Sequence, residues 1–169
     1  MASQSKTYES LIRQAEKDLG DKLLESGMNY GYPRFLIRPD DVLETGKYFK
    51  ESHHFIYLVE ITGTDRFTVE DRFEIIYNIV SLRTQQRIFI KTRLEEDHPK
   101  VASVYEIWPA ANWHEREVYD MFGVEFTNHP DPRRIYMPED YEYYPLRKEF
   151  PLLGVPGSIE LPNTSPDQE

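Results

Sequence analysis

The first part of the chain carries apolar residues at helical spacing. From Thr7 to about Leu24 they fall three or four positions apart, which places them on one face of a helix. The sequence GMNYG, with its glycines and asparagine, is predicted to end that helix. The apolar stripe consists of Tyr8, Leu11, Ile12, Ala15, Leu19 and Leu23.

A strand and a second helix are predicted next. The short apolar run PRFLIRP, bounded by prolines, is typical of a strand. Asp40 or Asp41 then provides a carboxylate that can cap the N-terminus of a helix. The buried face of this helix is predicted to hold Val42, Leu43, Gly46 and Phe49.

Three apolar runs in the middle of the chain predict strands. HHFIYLVEIT indicates a buried strand, and FEIIYNIVSL is apolar almost throughout, which predicts that both of its faces are covered. RIFIKTRL alternates instead, and the polar RTQQ before it predicts an antiparallel hairpin. In that last strand, inward positions are assigned to Ile88, Ile90, Thr92 and Leu94 and outward ones to Arg87, Lys91 and Arg93.

These elements predict an α+β fold, a two-layer sandwich in which N-terminal helices pack on a mixed or antiparallel sheet. One more helix is predicted from Pro109 to Phe122, and the proline-rich sequence beyond Gly123 resists regular structure. We therefore divide the chain into an α+β core domain (1–108), a helix with an extended, irregular arm (109–155) and a flexible tail (156–169). The arm is too apolar to lie in water and must contact its own domain or a partner. Its apolar residues are Ile135, Tyr136, Tyr141, Tyr143, Tyr144, Leu146, Phe150, Leu152 and Leu153.

Composition excludes several classes of function. The 169 residues carry a net charge of −10, which argues against binding to nucleic acid or anionic lipid. No apolar run is long enough to span a bilayer, and MASQSKTYES has no apolar signal core, so we expect a soluble protein facing the cytoplasm. Cysteine is absent, which excludes disulfides, zinc–thiolate sites and cysteine-ligated iron–sulfur clusters, and no glycine-rich phosphate loop is present.

The helix after Trp108 has an unusual distribution of charge. Glu115 falls in the middle of its apolar face, where a carboxylate needs a partner, and Arg133 and Arg134 lie downstream after a turn from which they can return to meet it. The opposite face carries Trp113, Arg116, Glu117 and Asp120, with Arg116 and Asp120 spaced to pair across one turn. A tryptophan among charges either lies under a loop of its own chain or anchors a protein interface.

The sequence offers little support for catalysis or metal binding by this helix. The pattern HExxH is absent, and His129 lies in the turn-forming NHPDP. Acid–base chemistry by neighbouring carboxylates and His129, as in a free-standing hydrolase, stays open as an alternative because the sequence defines no separation between these groups. No metal site and no catalytic residue are predicted.

Residues 115–136 resemble a known signature. Glu115-Arg116-Glu117 is followed by Asp120, Met121 and Phe122, then by His129, Arg133, Ile135 and Tyr136. This pattern, together with WPAANWHEREVYDMFG and YPLRKEFPL, is similar to that of the C-type subunit of proton-translocating NADH:quinone oxidoreductase, the "30 kDa" subunit family of respiratory complex I. A weaker similarity reaches back to DRFEIIYNIVSLR. Pro132 and Tyr144 depart from the aliphatic residue and the histidine expected at their positions.

The resemblance implies a non-redox subunit of the peripheral arm, on the cytoplasmic side of a bacterial inner membrane and without direct membrane insertion. The chain would hold no cofactor itself, with FMN, iron–sulfur clusters and quinone in partner subunits. Its most intimate contact would be with the D-type subunit, which helps form the quinone pocket and which we call the quinone-pocket subunit. It would also contact other peripheral-arm iron–sulfur subunits. Trp113, Arg116, Glu117, Tyr119 and Asp120 are expected at or beside the contact with the quinone-pocket subunit. Arg133 and Arg134 would tie the turn to Glu115 or to a partner. The arm's own partner contacts would be Tyr143, Pro145, Leu146, Arg147 and Phe150.

An equivalent subunit in a related complex is the nearest alternative to this assignment. The related complexes are a ferredoxin-linked dehydrogenase and a membrane-bound hydrogenase.

Overall fold

The fold is known from a computed structural model that describes residues 2–68 and 70–151, with side chains from Thr7 onward. Its helices are α1 (Ala2–Leu19), α2 (Val42–His53) and α3 (Ala111–Phe122), with short 3-10 turns at Gly20–Lys22 and Pro39–Asp41. Its strands are β1 (Leu23–Asn29), β2 (Tyr32–Ile37), β3 (Tyr57–Asp65), β4 (Phe73–Ser81), β5 (Gln86–Leu94), β6 (Lys100–Ala102) and β7 (Glu125–Thr127).

Five strands form one mixed sheet in the order β1-β2-β5-β4-β3. Strands β2 and β5 run parallel, and the other neighbours are antiparallel. The three helices contribute to a single core with the inward residues of the sheet, which confirms the predicted two-layer α+β fold. Strands β6 and β7 form a separate parallel pair that the sequence did not predict.

The hydrophobic core does not stop at residue 108. Trp108, Val118, Phe122 and Phe126 belong to the same buried cluster as Phe35. The indole N–H of Trp108 donates to the carbonyl of Phe55 at 3.1 Å, which ties this region to the segment before β3. The predicted boundary of the core domain at residue 108 therefore falls inside one continuous hydrophobic core.

The predicted end of the first helix is wrong. α1 ends at Leu19, and the residues from Leu23 onward form strand β1, because they pair with β2 along its length. The GMNYG sequence provides the hairpin turn, since Tyr30 and Gly31 both have positive φ angles of 48° and 85°. Two such residues between antiparallel strands favour the tight turn that matches strand twist.

Two other local predictions need correction. Asp41 occupies the N-cap of α2, but its carboxylate accepts a hydrogen bond from Arg38 at 2.7 Å and makes no capping bond. The run HHFIYLVEIT is not a single buried strand, because His53 ends α2 and β3 is an edge strand with alternating burial.

The β4–β5 hairpin is confirmed, with Ser81 paired to Gln86 across the turn. The inward residues of β5 are buried as predicted, and Thr92 donates its hydroxyl to the carbonyl of Ile37 at 2.9 Å. Strand β4 is covered by helices on one face only. On its other face Ile76 and Val80 are half-buried and lie outside the core cluster of the described residues.

Candidate partner interface

Helix α3 is held close to the sheet by a glycine. Its buried residues Val118 and Phe122 pack on Gly63 of β3, where an added Cβ would lie 2.8 Å from the Phe122 ring. The helix ends at Gly123, whose φ of 74° gives a left-handed cap and whose N–H donates to Tyr119 O at 2.8 Å. The helix thereby presents a fixed face to the segment that follows it.

Glu115 is fully buried in the apolar face of α3, as the sequence predicted. Its carboxylate accepts hydrogen bonds from the Ser103 hydroxyl at 2.6 Å and the Val104 N–H at 2.7 Å. Burial raises the pKa of Glu115 to about 7, although both hydrogen bonds oppose the shift. The expected return of Arg133 or Arg134 to this carboxylate is wrong, because their side chains pair with aspartates.

His129 is the other titratable group beside Glu115. Its Nε2 lies 3.7 Å from the Glu115 carboxylate and is within 3.1 Å of the Asn112 carbonyl. Its Nδ1 accepts the N–H of Asp131 at 3.0 Å, which requires the neutral ring with the proton on Nε2. Burial lowers the pKa of His129 and favours the same neutral form. Both ring nitrogens are therefore engaged by backbone groups.

We expect the substitution Glu115→Gln to remove a pH dependence of stability. The pKa of Glu115 is about 7 in the folded chain and near 4.5 for an ordinary glutamate, so the folded state binds more protons than the unfolded state between these values. The free energy of unfolding must then fall as pH rises from 4.5 to 7, by about 3 kcal/mol at most. Urea unfolding of native and variant chains at several pH values in this window measures the difference.

The matched control for this experiment is Glu117→Gln, which changes an exposed carboxylate on the same helix. That variant should keep the pH dependence of the native chain. His129 has the opposite sign, since a lowered pKa removes stability as pH falls, and its shift is caused chiefly by burial, which Glu115→Gln leaves in place. Parallel curves for the native chain and Glu115→Gln would contradict a raised pKa at Glu115.

Arg116 is buried and binds the loop that follows β7, which corrects the prediction of an exposed Arg116–Asp120 pair. Its Nε and one terminal nitrogen donate to the carbonyls of Arg133 at 2.8 Å and Arg134 at 3.0 Å. The guanidinium also lies 5.0 Å from the centre of the Trp113 ring. Arg116 thus joins the exposed tryptophan to the loop of residues 131–137.

Asp120 is fully buried and binds the later part of the same loop, residues 135–137. One carboxylate oxygen accepts three backbone N–H groups, from Ile135 at 3.0 Å, Tyr136 at 2.6 Å and Met137 at 3.0 Å. The other pairs with Arg134 at 2.7 Å. Burial alone would raise the pKa of Asp120, but these donors outweigh it and hold the pKa below its usual value.

Arg134 is enclosed by tyrosines. Its guanidinium lies 5.8 Å from the ring centre of Tyr119, 6.0 Å from that of Tyr141 and 5.0 Å from that of Tyr144. It also donates to the carbonyl of Tyr143 at 3.3 Å. One arginine therefore ties the loop of residues 131–137 to the next part of the arm.

The arm from Tyr144 to Arg147 packs on the C-terminal end of α3. Leu146 donates its N–H to the carbonyl of Met121 at 3.1 Å, and Arg147 Nε donates to the carbonyl of Phe122 at 2.7 Å. Gly123 makes this contact possible, because a Cβ there would lie 2.6 Å from both Tyr144 and Arg147. This part of the predicted arm thus lies against its own domain.

The end of the described arm is held by a buried ion pair. Arg72 forms two hydrogen bonds to the Asp65 carboxylate, at 3.0 and 2.8 Å, and Lys148 donates its backbone N–H to the same carboxylate at 2.8 Å. Arg72 also pairs with Glu149 and Glu96. Nothing in the sequence indicated that Asp65 and Arg72 pair, because residues at the ends of two different strands leave no local spacing pattern.

Several large side chains remain exposed around α3 and the arm. Trp113 is 64% exposed, Tyr136 is 61% exposed, and Tyr143 and Leu146 are also exposed. Glu117 and Arg133 are exposed, whereas Tyr119, Pro145, Arg147 and Phe150 are half-buried. We call the surface formed by Trp113, Arg133, Tyr136, Tyr143 and Leu146 the arm surface; its role in binding stays a prediction.

A cleft of about 650 Å³ opens between α3, β7 and the arm. Its lining includes Glu115, Arg116, His129, Tyr144 and Arg147. Glu115, Arg116 and His129 are already hydrogen-bonded, whereas Asp97 and His98, which also line the cleft, are exposed. In the part of the chain that the structure describes, no group of three or more histidine, aspartate or glutamate side chains is placed to hold a metal.

The comparisons with known proteins decide the family. The sequence profile described as "Respiratory-chain NADH dehydrogenase, 30 Kd subunit" matches residues 35–155, which include α3 and the arm. The chain belongs to this family. It is 41% identical over 156 residues to the second C-type subunit of the NADH-quinone oxidoreductase of Rhizobium etli, covering 88% of this chain and 83% of that one. It is 38% identical to the C-type subunit of the Roseiflexus sp. enzyme, covering 85% of this chain and 83% of the relative.

Two solved structures have the same fold. The trypsin-resistant fragment of Nqo5 superposes with a TM-score of 0.63 at 29% identity, covering 73% of this chain and 97% of the fragment. A chain of the membrane-bound sulfane sulfur reductase, an archaeal respiratory membrane complex, gives a TM-score of 0.73 at 26% identity and covers 86% of each chain. The chain is therefore a subunit of a complex I-type assembly. No helix of its described residues is long and apolar enough to cross a membrane.

Proposed function

We propose that this chain is a non-redox structural subunit of the peripheral arm of NADH:quinone oxidoreductase, docked to the quinone-pocket subunit through the arm surface. Its role is to hold the neighbouring subunits while electrons pass from NADH through FMN and iron–sulfur centres to quinone. The quinone-pocket subunit is its principal partner, and other iron–sulfur subunits of the peripheral arm are further ones. The assembly lies on the cytoplasmic side of the bacterial inner membrane.

The observation that carries the proposal is the way Arg116 and Asp120 hold the loop of residues 131–137. The Arg116 side chain donates to two backbone carbonyls of this loop, and the Asp120 carboxylate accepts three of its backbone N–H groups. The result is a rigid base for Trp113, Arg133 and Tyr136, which are left exposed. Tryptophan, tyrosine and arginine are the residue types that contribute most to protein interfaces.

The chemistry of the chain also supports a structural role. These 169 residues contain no cysteine, so a cysteine-ligated iron–sulfur cluster has no ligands here. The buried charges near the cleft are committed to backbone groups and to each other. Redox chemistry is therefore assigned to the partner subunits.

Replacing Trp113 with alanine is expected to weaken docking without unfolding the chain. The side chain is largely exposed, so its loss costs the isolated fold little, whereas an interface anchor of this type contributes about 2–4 kcal/mol to association. Co-expression with a tagged quinone-pocket subunit, followed by quantification of the chain retained on it, measures the loss. Urea unfolding of the isolated variant checks that its stability is unchanged.

Tyr30→Ala is the matched control. Tyr30 is also an exposed aromatic residue, at 95%, but it lies in the β1–β2 turn. Retention on the quinone-pocket subunit should be native in this variant. Equal retention of Trp113→Ala and Tyr30→Ala would refute the arm surface as the docking site.

A second candidate function is that of the equivalent structural subunit in a related respiratory complex. The similarity to the sulfane sulfur reductase chain supports it. The relatives named as C-type subunits of NADH-quinone oxidoreductase favour the first. Measuring whether membranes of the source organism lose NADH:quinone activity when this chain is deleted separates the two. Loss of activity with another donor, and full retention with NADH, would favour the second candidate.

A further inference from the structure

The face of the five-stranded sheet opposite the helices has an unusual composition. Register places Tyr57, Val80 and Arg87 in one row across the sheet, and Phe89 opposite both Arg34 and Asn78 in the next. Residues directly opposite each other point to the same side of a sheet. We call the side that carries these residues the outer face.

The outer face is more apolar than a solvated sheet surface requires. An antiparallel sheet with one face in water normally alternates between apolar inward and polar outward residues. Strand β4 instead places Ile76 and Val80 outward, and β5 places Phe89 there. These three residues are half-buried and lie outside the core cluster, and the outward Leu36 of β2 is buried, with 6% of its surface exposed.

Aromatic contacts keep this face ordered. The Tyr32 ring packs edge-on against Phe89 with centroids 6.1 Å apart, and Arg87 lies 5.8 Å from the centre of the Tyr32 ring. Asn78 is buried in the middle of the face, and its side-chain oxygen has no hydrogen-bond partner in the described residues. Tyr8 of α1 reaches the edge of this face, where its ring packs on Tyr32 with centroids 6.5 Å apart.

Charge distinguishes this face from the rest of the molecule. The chain as a whole carries a net charge of −10. The outer face carries four bases, Arg34, Arg87, Lys91 and Arg93, and three acids, Glu25, Glu60 and Glu74, a balance of +1. Arg34 pairs with Glu25, while Lys91 and Arg93 share Glu74. Arg87 has no ion pair with a carboxylate in the described residues.

We propose that the outer face docks a second subunit of the assembly, whose contacting surface carries carboxylates around apolar side chains. The apolar centre would exclude water, and the basic residues around it would select an acidic partner. This inference rests on the proposed structural role and extends it. The chain then joins two subunits on opposite sides, one at the arm surface and one at the outer face.

The absence of cysteine allows the outer face to be tested directly. Two single-cysteine variants place a unique thiol there: Gly27→Cys on β1, where an added Cβ meets nothing closer than 3.9 Å, and Val80→Cys on β4. Ser52→Cys, exposed on α2, is the control in the helical layer. Maleimide labelling rates are measured in the isolated chain and in the purified complete complex.

Labelling at both outer-face cysteines should be about tenfold or more slower in the complex, since a bound partner excludes the reagent from a packed surface. The Ser52→Cys rate should change little. Equal rates for an outer-face cysteine in the free and assembled chain would overturn the proposal, provided that the quinone-pocket subunit is retained. Retention of the quinone-pocket subunit in the complex is measured separately. Its loss would contradict docking at the arm surface, whatever the labelling rates at the outer face.

The charge of the partner is tested by Arg87→Glu in the complete complex. We expect about tenfold weaker retention of the subunit that carbodiimide cross-links to Lys91, because reversal at an interface opposes a carboxylate to a carboxylate. Arg87→Lys should restore retention, and Lys47→Glu, the same class of change on the exposed side of α2, should leave it native. Protection of the cysteines without any effect of Arg87→Glu would overturn the assignment of an acidic partner.

Discussion

The substitution Asp120→Asn is expected to release the loop of residues 131–137 from α3 and to destabilise the chain by about 3–5 kcal/mol. The change leaves Arg134 without its ionised partner while the side chain of that arginine is almost entirely buried. The three backbone N–H groups at Ile135, Tyr136 and Met137 also lose a charged acceptor. Hydrogen bonds to charged groups are among the strongest in proteins, and asparagine, which offers only a neutral carbonyl acceptor, weakens all three at once.

Urea unfolding of the isolated chain measures this effect, and retention on the quinone-pocket subunit measures its consequence for assembly. Asp140→Asn is the control, because Asp140 is an exposed carboxylate of the same arm. The two variants should differ in both measurements. A native midpoint of unfolding for Asp120→Asn would show that the loop does not depend on this carboxylate.

The substitution Asp65→Asn is expected to free the end of the arm. Burial opposes ionisation of Asp65, but Arg72 and the N–H groups of Lys148 and Phe67 outweigh it and hold the pKa at about 2. Because the pKa is lowered on folding, the stabilisation is present above pH 4 and is lost as pH falls toward 2. Asparagine removes the charge at every pH and leaves buried Arg72 poorly paired, at a cost of about 3–5 kcal/mol.

Limited trypsin digestion measures the release, since Arg147 and Lys148 lie in the segment that Asp65 holds. Cleavage at these two positions should be faster in Asp65→Asn than in the native chain. Glu149→Gln is the control, because Glu149 is half-exposed and contributes one outer contact to Arg72. Such exposed partners contribute about 0–1 kcal/mol, so cleavage should change little. Equal digestion of all three proteins would contradict the proposed hold on the arm.

These experiments test one structural feature of the chain, the binding of the C-terminal arm by buried charges. Buried charges on α3 and at the ends of β3 and β4 are satisfied by the backbone of the C-terminal arm, and the arm in turn presents its large side chains outward. Loss of a buried charge is expected to damage the fold and the docking together. Loss of an exposed anchor such as Trp113 is expected to damage docking alone. The difference between these two outcomes separates support of the surface from contact with the partner.

The sequence by itself determined the elements whose faces differ in polarity. Periodicity located α2, α3 and β5, because burial on one side forces apolar residues to recur at the period of the helix or strand, and continuous apolar runs located β2 and β4. It also identified Glu115 as a buried charge, since its position on the helix follows from spacing alone. The signature around Glu115, Arg116 and Asp120 indicated the family.

Tertiary structure decided everything that depends on segments distant in the chain. Leu23–Asn29 became a strand because β2 is available to pair with it, although Leu23 continues the spacing of α1. Arg116 and Asp120 are buried because a loop about 15 residues later covers them, and their partners are backbone groups that leave no pattern in the sequence. Local periodicity records which side of an element is buried against the core, whereas hydrogen-bond partners are chosen by the packing of the whole chain.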